Sequence, residues 1–202
     1  MRVVRLDPRA ELGRGARVER INGDGVEAAG ARLQSSSGLR FAPELDGLPA
    51  IKLGELRWAA ATCCKTWERY GIHLLEPVYR LLGPGFVSVR LESHASNCTE
   101  VAHLLHRTGV QFTLSVMYDG GPAHGLLTLC GTEGAHTLRF TDTYTAFRRQ
   151  MVNFIEFVRS GASTYPFSET IELMCILAAG ITSRAEHSRR VALSEIHEQI
   201  SP

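Results

Sequence analysis

The chain has 202 residues, of which 44% are hydrophobic, 21% charged and 7% aromatic. This composition is that of an ordinary globular protein, and it argues against a disordered chain, a collagen or a small disulfide scaffold. With 22 Lys and Arg against 21 Asp and Glu, the formal charge of +1 gives no field that would attract nucleic acid or an acidic membrane. The apolar runs are shorter than a membrane span, and the amino-terminal residues lack the apolar core of a secretory signal.

The five cysteines do not form a metal-binding pattern. They stand at positions 63, 64, 98, 130 and 175, two of them adjacent and none in a Cys-x-x-Cys pair. Zinc sites need paired spacings of that kind. An odd number of cysteines in apolar surroundings is typical of reduced, mostly buried thiols in a cytoplasmic protein, so we expect no disulfide and no metal.

The first 34 residues differ from the remainder. They contain seven Arg, five Gly and little apolar periodicity, so we expect a residual segment that is partly disordered or draped over the main domain at 35–202. The stretch Gly23–Ala28 matches G-x-G-x-x-A. The preceding residues 16–21 are too charged for the buried strand of a dinucleotide site, so a plain glycine turn is the better interpretation.

From Ser35 onward the pattern becomes regular, and short loops connect most elements. Phe86–Leu91 alternates strictly between apolar and polar residues, which predicts a half-buried strand. Gly109 and the stretch 131–134 are placed as hairpin loops between apolar runs. A helix is expected at His73–Leu82, ended by Gly83. The expected strands are Leu56–Ala61, Phe86–Leu91, Val101–His106, Val110–Tyr118, Leu126–Cys130 and His136–Phe140.

Two further helices and a short strand are predicted at the end of the chain. The first helix has an apolar stripe, of the kind that packs on a core, at Phe147, Met151, Phe154, Ile155 and Val158. The second runs from a Ser168 N-cap to about Arg184, and a strand follows at Val191–Leu193. We therefore expect an α+β fold, an open and mostly antiparallel sheet of about six strands with helices on one face.

Several segments resemble the glucose–fructose oxidoreductase, inositol dehydrogenase and MocA-like (Gfo/Idh/MocA) family of oxidoreductases. Ser35–Leu45 resembles the segment that leaves the nucleotide-binding domain of that family, and Trp67–Glu76 resembles its substrate-side helix with a characteristic histidine. Tyr165–Glu172, followed by Ala178–Arg184, resembles its carboxy-terminal helix, and Arg190–Leu193 its closing strand. The order and spacing of these segments carry the resemblance, which covers residues 35 to 196 and implies the carboxy-terminal substrate and oligomerisation domain.

The resemblance also shows what the sequence lacks. Members of the family bind NAD(P) on an amino-terminal Rossmann domain that has a glycine-rich turn and a Glu-Lys-Pro motif. Neither motif occurs here, so we expect the isolated chain to bind no NAD(P), and a separate Rossmann-containing chain is a candidate partner.

His73 is the candidate catalytic residue, because the resemblance assigns it the place of the family histidine and an imidazole can act as acid or base near neutral pH. Many relatives have Asp four residues earlier, where this chain has Arg69, so Glu76 is the candidate for orienting the ring. Lys65, Trp67 and Tyr70 precede His73; together with Arg69 and Glu76 they are the candidate substrate-binding residues, suited to an anionic or hydroxylated ligand.

Other polar residues are weaker candidates. His103 and His106 are expected on the surface of a hairpin, and Tyr118–Asp119 in a plain turn. In the resembled family the uncovered face of the sheet commonly forms the dimer or tetramer interface, so we expect a homodimer, with Leu114, Val116, Leu127 and Leu129 as candidate interface residues.

Three functions remain open from the sequence. The first is an oxidoreductase-type domain that binds a polyhydroxylated or carbonyl compound and takes its cofactor from another chain. The second is a cofactor-independent lyase, isomerase or cyclase that uses His73 as acid and base. The third is a non-catalytic dimeric remnant or partner subunit, including a truncated reading frame.

Overall fold

The computed structural model describes residues 33–94, 98–120 and 125–200. The predicted residual segment 1–34, apart from its last two residues, lies outside them, and so does Gly23–Ala28. The described residues form one seven-stranded sheet with the strand order β6-β5-β1-β4-β3-β2-β7. The strands are β1 Leu56–Cys64, β2 Phe86–His94, β3 Thr99–His106, β4 Gln111–Met117, β5 Leu126–Gly131, β6 Ala135–Arg139 and β7 Val191–Ala192. The helices are α1 Trp67–Leu82, α2 Thr143–Ser160, α3 Phe167–Ala185 and α4 Leu193–Ile200, and short 3-10 turns lie at Gly38–Phe41, Pro43–Leu45 and Leu48–Ala50.

The prediction of an α+β fold with an open, mostly antiparallel sheet is confirmed. Both predicted hairpins form, β3 with β4 and β5 with β6. The one parallel pair in the described part of the chain is β1 with β4, at the centre of the sheet. A parallel neighbour requires a long connection, and here α1 and the β2–β3 pair lie between the two strands in sequence.

One face of the sheet carries the core. Ala59 pairs with Phe112 and Ala61 with Leu114, and all four side chains are buried together with apolar residues of α1 and α3. The expected dimer residues Leu114, Val116, Leu127 and Leu129 belong to this buried, helix-covered face, so that prediction was wrong. Because successive side chains of a strand point to opposite faces, the uncovered face presents their neighbours, among them Trp58, Ala60, Thr113, Ser115 and Thr128.

Helix α1 begins six residues earlier than expected, at Trp67 rather than His73. His73, which was expected at the start of this helix, therefore lies in its second turn, and Pro77 lies in the helix interior. Proline has no N–H, so Pro77 cannot donate the helical hydrogen bond that would reach the carbonyl of His73.

Helix α3 packs closely against α1. Trp67 has no exposed surface, and its indole N–H donates to the carbonyl of Leu177 at 2.9 Å. A Cβ atom at Gly180 would lie 2.5 Å from the indole nitrogen, so only glycine allows this approach. The helix begins at Phe167 after Pro166, and Ser168, the expected N-cap, lies within its first turn.

Helix α2 forms as expected, but its apolar stripe is not buried. Only Ala146 and Phe157 of this helix are buried, whereas Phe147 is 58% exposed and Ile155 47% exposed. The side of α2 that faces the rest of the protein is largely polar, and its Gln150 binds the carbonyl of Ser36. The edge of the Phe147 ring lies against Gly38 of the same segment. The stripe therefore marks an uncovered surface and not the contact with the core.

The position of one histidine also differs from the expectation. His106 is buried, with hydrogen bonds to Thr108 at 2.9 Å and to the carbonyl of Pro84 at 3.2 Å, so its expected surface position was wrong, whereas His103 is exposed as expected. The five cysteines are free thiols, of which Cys63 and Cys175 are buried. None of the described helices is long and apolar enough to span a membrane.

Candidate functional site

His73 lies on the face of α1 that is covered by the segment Ser35–Arg40. Its side chain is half-buried, and Nδ1 is 2.8 Å from the hydroxyl of Ser37. The ring of Tyr70, one turn earlier, meets the imidazole edge to face at 5.0 Å between centroids. Burial lowers the pKa of His73 below its usual value of 6.5, so the ring is neutral at pH 7 and can accept a proton.

Ser37 connects His73 to a buried ion-pair network. The backbone N–H of Ser37 donates to Glu76 at 3.1 Å, and the other oxygen of Glu76 accepts from Arg40 at 2.7 Å. Arg40 also pairs with Glu169 at the start of α3 and lies over the ring of Tyr165, 3.9 Å from its centroid. Glu76 thus affects the imidazole through Ser37, not by the direct contact that its position three residues later suggested.

The segment Ser35–Arg40 is held in place by side chains of α2 and by side chains at the start of α3. The Ser35 carbonyl accepts from the hydroxyls of Tyr165 at 3.0 Å and Thr170 at 3.2 Å. The Ser36 carbonyl accepts from the amide of Gln150 at 2.7 Å. The Ser37 hydroxyl itself accepts from the backbone N–H of Leu39 at 3.3 Å, and this bond holds it in position beside the His73 ring.

Lys65 occupies a strained position between β1 and α1. Its φ of 67° lies in the left-handed region, which costs a residue with a side chain about 1 kcal/mol or more. The backbone N–H of Lys65 donates to the carbonyl of Met117 at 2.8 Å, and this bond helps to hold the turn. The ammonium group donates to the Tyr70 hydroxyl at 2.9 Å, so Lys65, Tyr70 and His73 form a continuous series of contacts.

The remaining predicted site residues divide into two groups. Arg69 is exposed near His73, one helical turn earlier. Trp67 and Glu76 are buried, and their contacts are with the interior of the protein. Burial raises the pKa of Glu76, opposed by the hydrogen bond from Arg40. The exposed candidates for a ligand contact are therefore Lys65 and Arg69, beside half-buried Tyr70 and His73.

A second buried ion pair closes the amino-terminal end of α1. Arg184 of α3 pairs with Glu68 and, at 2.6 Å, with the fully buried Glu100 of β3. The second oxygen of Glu100 accepts from the backbone N–H of Trp67 at 3.4 Å. The anion-binding position at the amino terminus of α1 is therefore already occupied by the carboxylates of Glu68 and Glu100.

A groove with a volume of about 390 Å³ lies on the other side of the Arg40 network. Its lining includes Arg40, Asp46, Arg80, Arg149 and Tyr165, but not His73. Asp46 pairs there with Arg149 at 2.6 Å and with Arg80 at 3.3 Å. Arg40 separates this groove from the histidine, so we treat the two places as different. Among the described residues no cluster of His, Cys, Asp and Glu is arranged to hold a metal ion.

Sequence reasoning missed Ser37 and Arg40 as parts of the site. Both lie in Ser35–Leu45, a segment that was used only to establish the resemblance. Three serines in a row are an ordinary loop signal, and an arginine is expected at the surface. Their contacts cross 36 positions along the chain, which no local pattern indicates.

No protein-family model and no curated protein matches the sequence. Solved structures do match. A putative myo-inositol dehydrogenase from Sinorhizobium meliloti 1021 is 16% identical over 84% of this chain and 68% of its own, with a TM-score of 0.69. Myo-inositol dehydrogenase from Lactobacillus casei, in complex with NAD(H) and myo-inositol, is 13% identical over 79% of this chain and 63% of its own, with a TM-score of 0.63.

A third match is an oxidoreductase from Agrobacterium radiobacter in complex with NAD+, L-tartaric acid and magnesium. It is 13% identical over 84% of this chain and 67% of its own, with a TM-score of 0.65. These identities are low, and the similarity is one of fold. The order of the elements, the open sheet and the matched solved structures together confirm the resemblance: the chain has the fold of the carboxy-terminal domain of the Gfo/Idh/MocA oxidoreductases.

Proposed function

We propose that this domain is the substrate-binding half of an oxidoreductase and holds a polyhydroxylated or carbonyl compound beside His73. The observation that carries the proposal is the neutral, half-buried imidazole, oriented by Ser37 and the buried Glu76–Arg40 pair. A surface histidine does not require such support, whereas a group that receives or gives a proton to a ligand depends on a fixed ring.

The cofactor, in this proposal, comes from a Rossmann-type domain outside the described residues. A pyrophosphate needs an open helix amino terminus with small residues near it. The described helices do not fit, because each has carboxylates at its start: α1 has Glu68 and Glu100, α2 has Glu44 and Asp142, and the first turns of α3 and α4 have Glu169 and Glu195. We derive no step through NAD(P) from this domain alone.

The uncovered stripe of α2 is the proposed contact for that cofactor domain. Tyr144, Phe147, Met151, Phe154 and Val158 follow one another at intervals of three and four residues, the spacing by which one helix packs on another. Exposed apolar surface that is continuous along a helix marks an interaction site. Phe147 of this stripe lies against Gly38, in the same segment that positions Ser37, so a domain packed on α2 would lie close to His73.

The uncovered face of the sheet is the proposed homodimer interface. It presents small side chains such as Ala60, Thr113 and Ser115 around Trp58, which is 38% exposed. Two such faces can pack on each other without large rearrangement. Light scattering at micromolar concentration is expected to give twice the mass of one chain, and a monomer would contradict this interface.

A second candidate function, acid and base catalysis without a nucleotide, follows from the lowered pKa of His73. A neutral imidazole can remove a proton from a carbon next to a carbonyl, as lyases and isomerases require. Turnover of a substrate without added nucleotide, lost in His73→Ala, would favour this candidate over the first.

The proposed function is tested by binding. Histidine ring NMR signals of the full chain are titrated with D-glucose and with D-glucuronate, and NADH is titrated by fluorescence. We expect saturable binding of at least one of the two sugars, shifting the His73 signal and lost in His73→Ala. The matched control His197→Ala replaces an exposed histidine of α4, outside the sheet, and should retain binding.

Two results would contradict the proposal. Equal binding by His73→Ala, or no binding of either sugar, removes His73 as the centre of the site. Micromolar affinity for NADH would show that the chain has a cofactor site of its own.

A further inference from the structure

The surroundings of His73 are positively charged. Lys65 and Arg69 are both exposed and both precede Tyr70, whose ring contacts the Lys65 ammonium group on one side and the imidazole on the other. Arg69 stands four residues before His73, at a separation that places the two Cβ atoms about 6 Å apart on the same helix face. The Tyr70 hydrogen bond raises the pKa of Lys65, and the charge of Arg69 opposes this increase.

The glutamates of α1 and the buried Glu100 beside its first turn are already paired with arginines. Glu68 and Glu100 pair with Arg184, and Glu76 pairs with Arg40. No carboxylate within the described part of the chain lies within 4 Å of the Lys65 or Arg69 cation. Three acidic groups therefore point away from the site into ion pairs, and two cationic groups remain beside a neutral imidazole.

This distribution differs from what a neutral polyol requires. Hydroxyl groups are bound by a mixture of donors and acceptors, and an acceptor for a hydroxyl proton is usually a carboxylate or an amide oxygen. Lys and Arg side chains have donors only. Such a pair of cations suits a carboxylate, which accepts several charge-assisted hydrogen bonds, and an arginine can bind it through two of them at once.

We propose that the ligand held beside His73 carries a carboxylate group, which Arg69 and Lys65 bind while the imidazole contacts a hydroxyl or carbonyl of the same molecule. The ligand class is thus a hydroxy acid or sugar acid, not a neutral polyol. This inference rests on the proposed function, because it describes the chemistry of the same site. It assigns Arg69 and Lys65 the role of selecting the charge of the ligand, and His73 the contact with its reacting end.

The test compares two probes that differ at one group. D-glucuronate has a carboxylate where D-glucose has a primary alcohol, and both are titrated against the full chain by the same NMR signal of His73. We expect glucuronate to bind at least about 10-fold more tightly at low salt, an advantage that decreases as screening shortens the range of the charges in 0.5 M NaCl. Arg69→Asp should reverse this preference, and Lys65→Gln should reduce it.

The control makes the same charge change elsewhere. Arg148→Asp replaces an exposed arginine of α2 and should leave the preference for glucuronate unchanged. Arg69→Asp places an acid in the first turn of α1, where the helix dipole favours it, so the variant should fold. Its thermal unfolding checks this directly.

Each outcome is decisive. Equal binding of the two probes, a preference for glucose, or a preference unaffected by Arg69→Asp would overturn this inference while the proposed function stands. If neither probe binds, the proposed function fails and this inference fails with it.

Discussion

Helices α2 and α3 have apolar stripes of similar length, but only α3 uses its stripe to build the core. Leu173, Cys175 and Ile176 of α3 are buried against the sheet and α1. In α2 the large apolar side chains point outward, and Tyr144 is 77% exposed. The α2 helix is instead joined to the domain by polar groups, Gln150 and Arg149 among them. An apolar stripe thus shows that a helix will be covered, but not by which part of which molecule.

The two modes of attachment should respond differently to substitution and to pH. Apolar burial contributes roughly 25 cal/mol for each Å² removed from water and does not depend on protonation. Carboxylate and guanidinium contacts at the surface contribute less and are lost when the carboxylate is protonated. Three measurements separate the two regions.

The largest loss of stability is expected when the buried network between the two regions is broken. Arg40→Ala leaves Glu76 and Glu169 unpaired in the interior and should lower the free energy of unfolding by about 3–5 kcal/mol. Arg57→Ala removes an exposed arginine that pairs with Glu55, and should cost less than about 1 kcal/mol. Urea unfolding followed by circular dichroism gives both values, and similar losses in the two variants would contradict a structural role for Arg40.

Truncating one apolar side chain in each stripe should give the next largest loss in the free energy of unfolding. Leu173→Ala of α3 removes a side chain that is 1% exposed, leaves a cavity, and should cost about 2–5 kcal/mol. Ile155→Ala of α2 removes one that is 47% exposed, and in the isolated chain should cost under about 1 kcal/mol. A large loss from Ile155→Ala would mean that the α2 stripe is already covered in solution.

Acid should loosen α2 before it affects α3. Burial tends to raise the pKa of Glu44, but the N–H groups of Asp142 and Thr141 lower it further, to a value below 4.5. The hydrogen bond from Arg149 lowers the pKa of Asp46 below 3.8. Carboxylates with a lowered folded pKa stabilise the fold above their unfolded pKa, and this contribution is lost as the pH falls through the folded value.

Hydrogen exchange at pH 7 and pH 3, corrected for the intrinsic rate, measures this difference. We expect protection of α2 amides to decrease more than that of α3 amides in acid. The variant Glu44→Gln should lower the protection of α2 already at pH 7. Equal losses in both helices would show that the surface carboxylates do not determine how α2 is attached.

Local patterns predicted the elements of the fold well, because each depended on neighbouring residues. The alternation in Phe86–Leu91 and the glycine at 109 identified a strand and a hairpin that the structure contains. The start of α1 was placed too late, since Trp67–Ile72 has no apolar periodicity of its own and becomes helical with Trp67 packed against α3. The buried face of Leu114 depended on register with β1, which is set by contacts more than 50 positions apart.

The candidate site divides in the same way. His73 was identified through the resemblance, and Lys65, Arg69 and Tyr70 because they closely precede it in sequence. Ser37 and Arg40 were not, because their partners lie on α1 and α3. Glu76 was expected to orient the His73 ring directly. Its carboxylate instead pairs with Arg40, because a buried carboxylate is costly without a cation.

The sequence by itself determined the fold class, the hairpins and the presence of a cation, Arg69, where many members of the resembled family have Asp. Periodicity, turn residues and charge are local properties. Only the tertiary structure decided which apolar stripe is buried and which carboxylates are already paired. These depend on which distant segments meet, and burial and ion pairing take their free energy from such contacts.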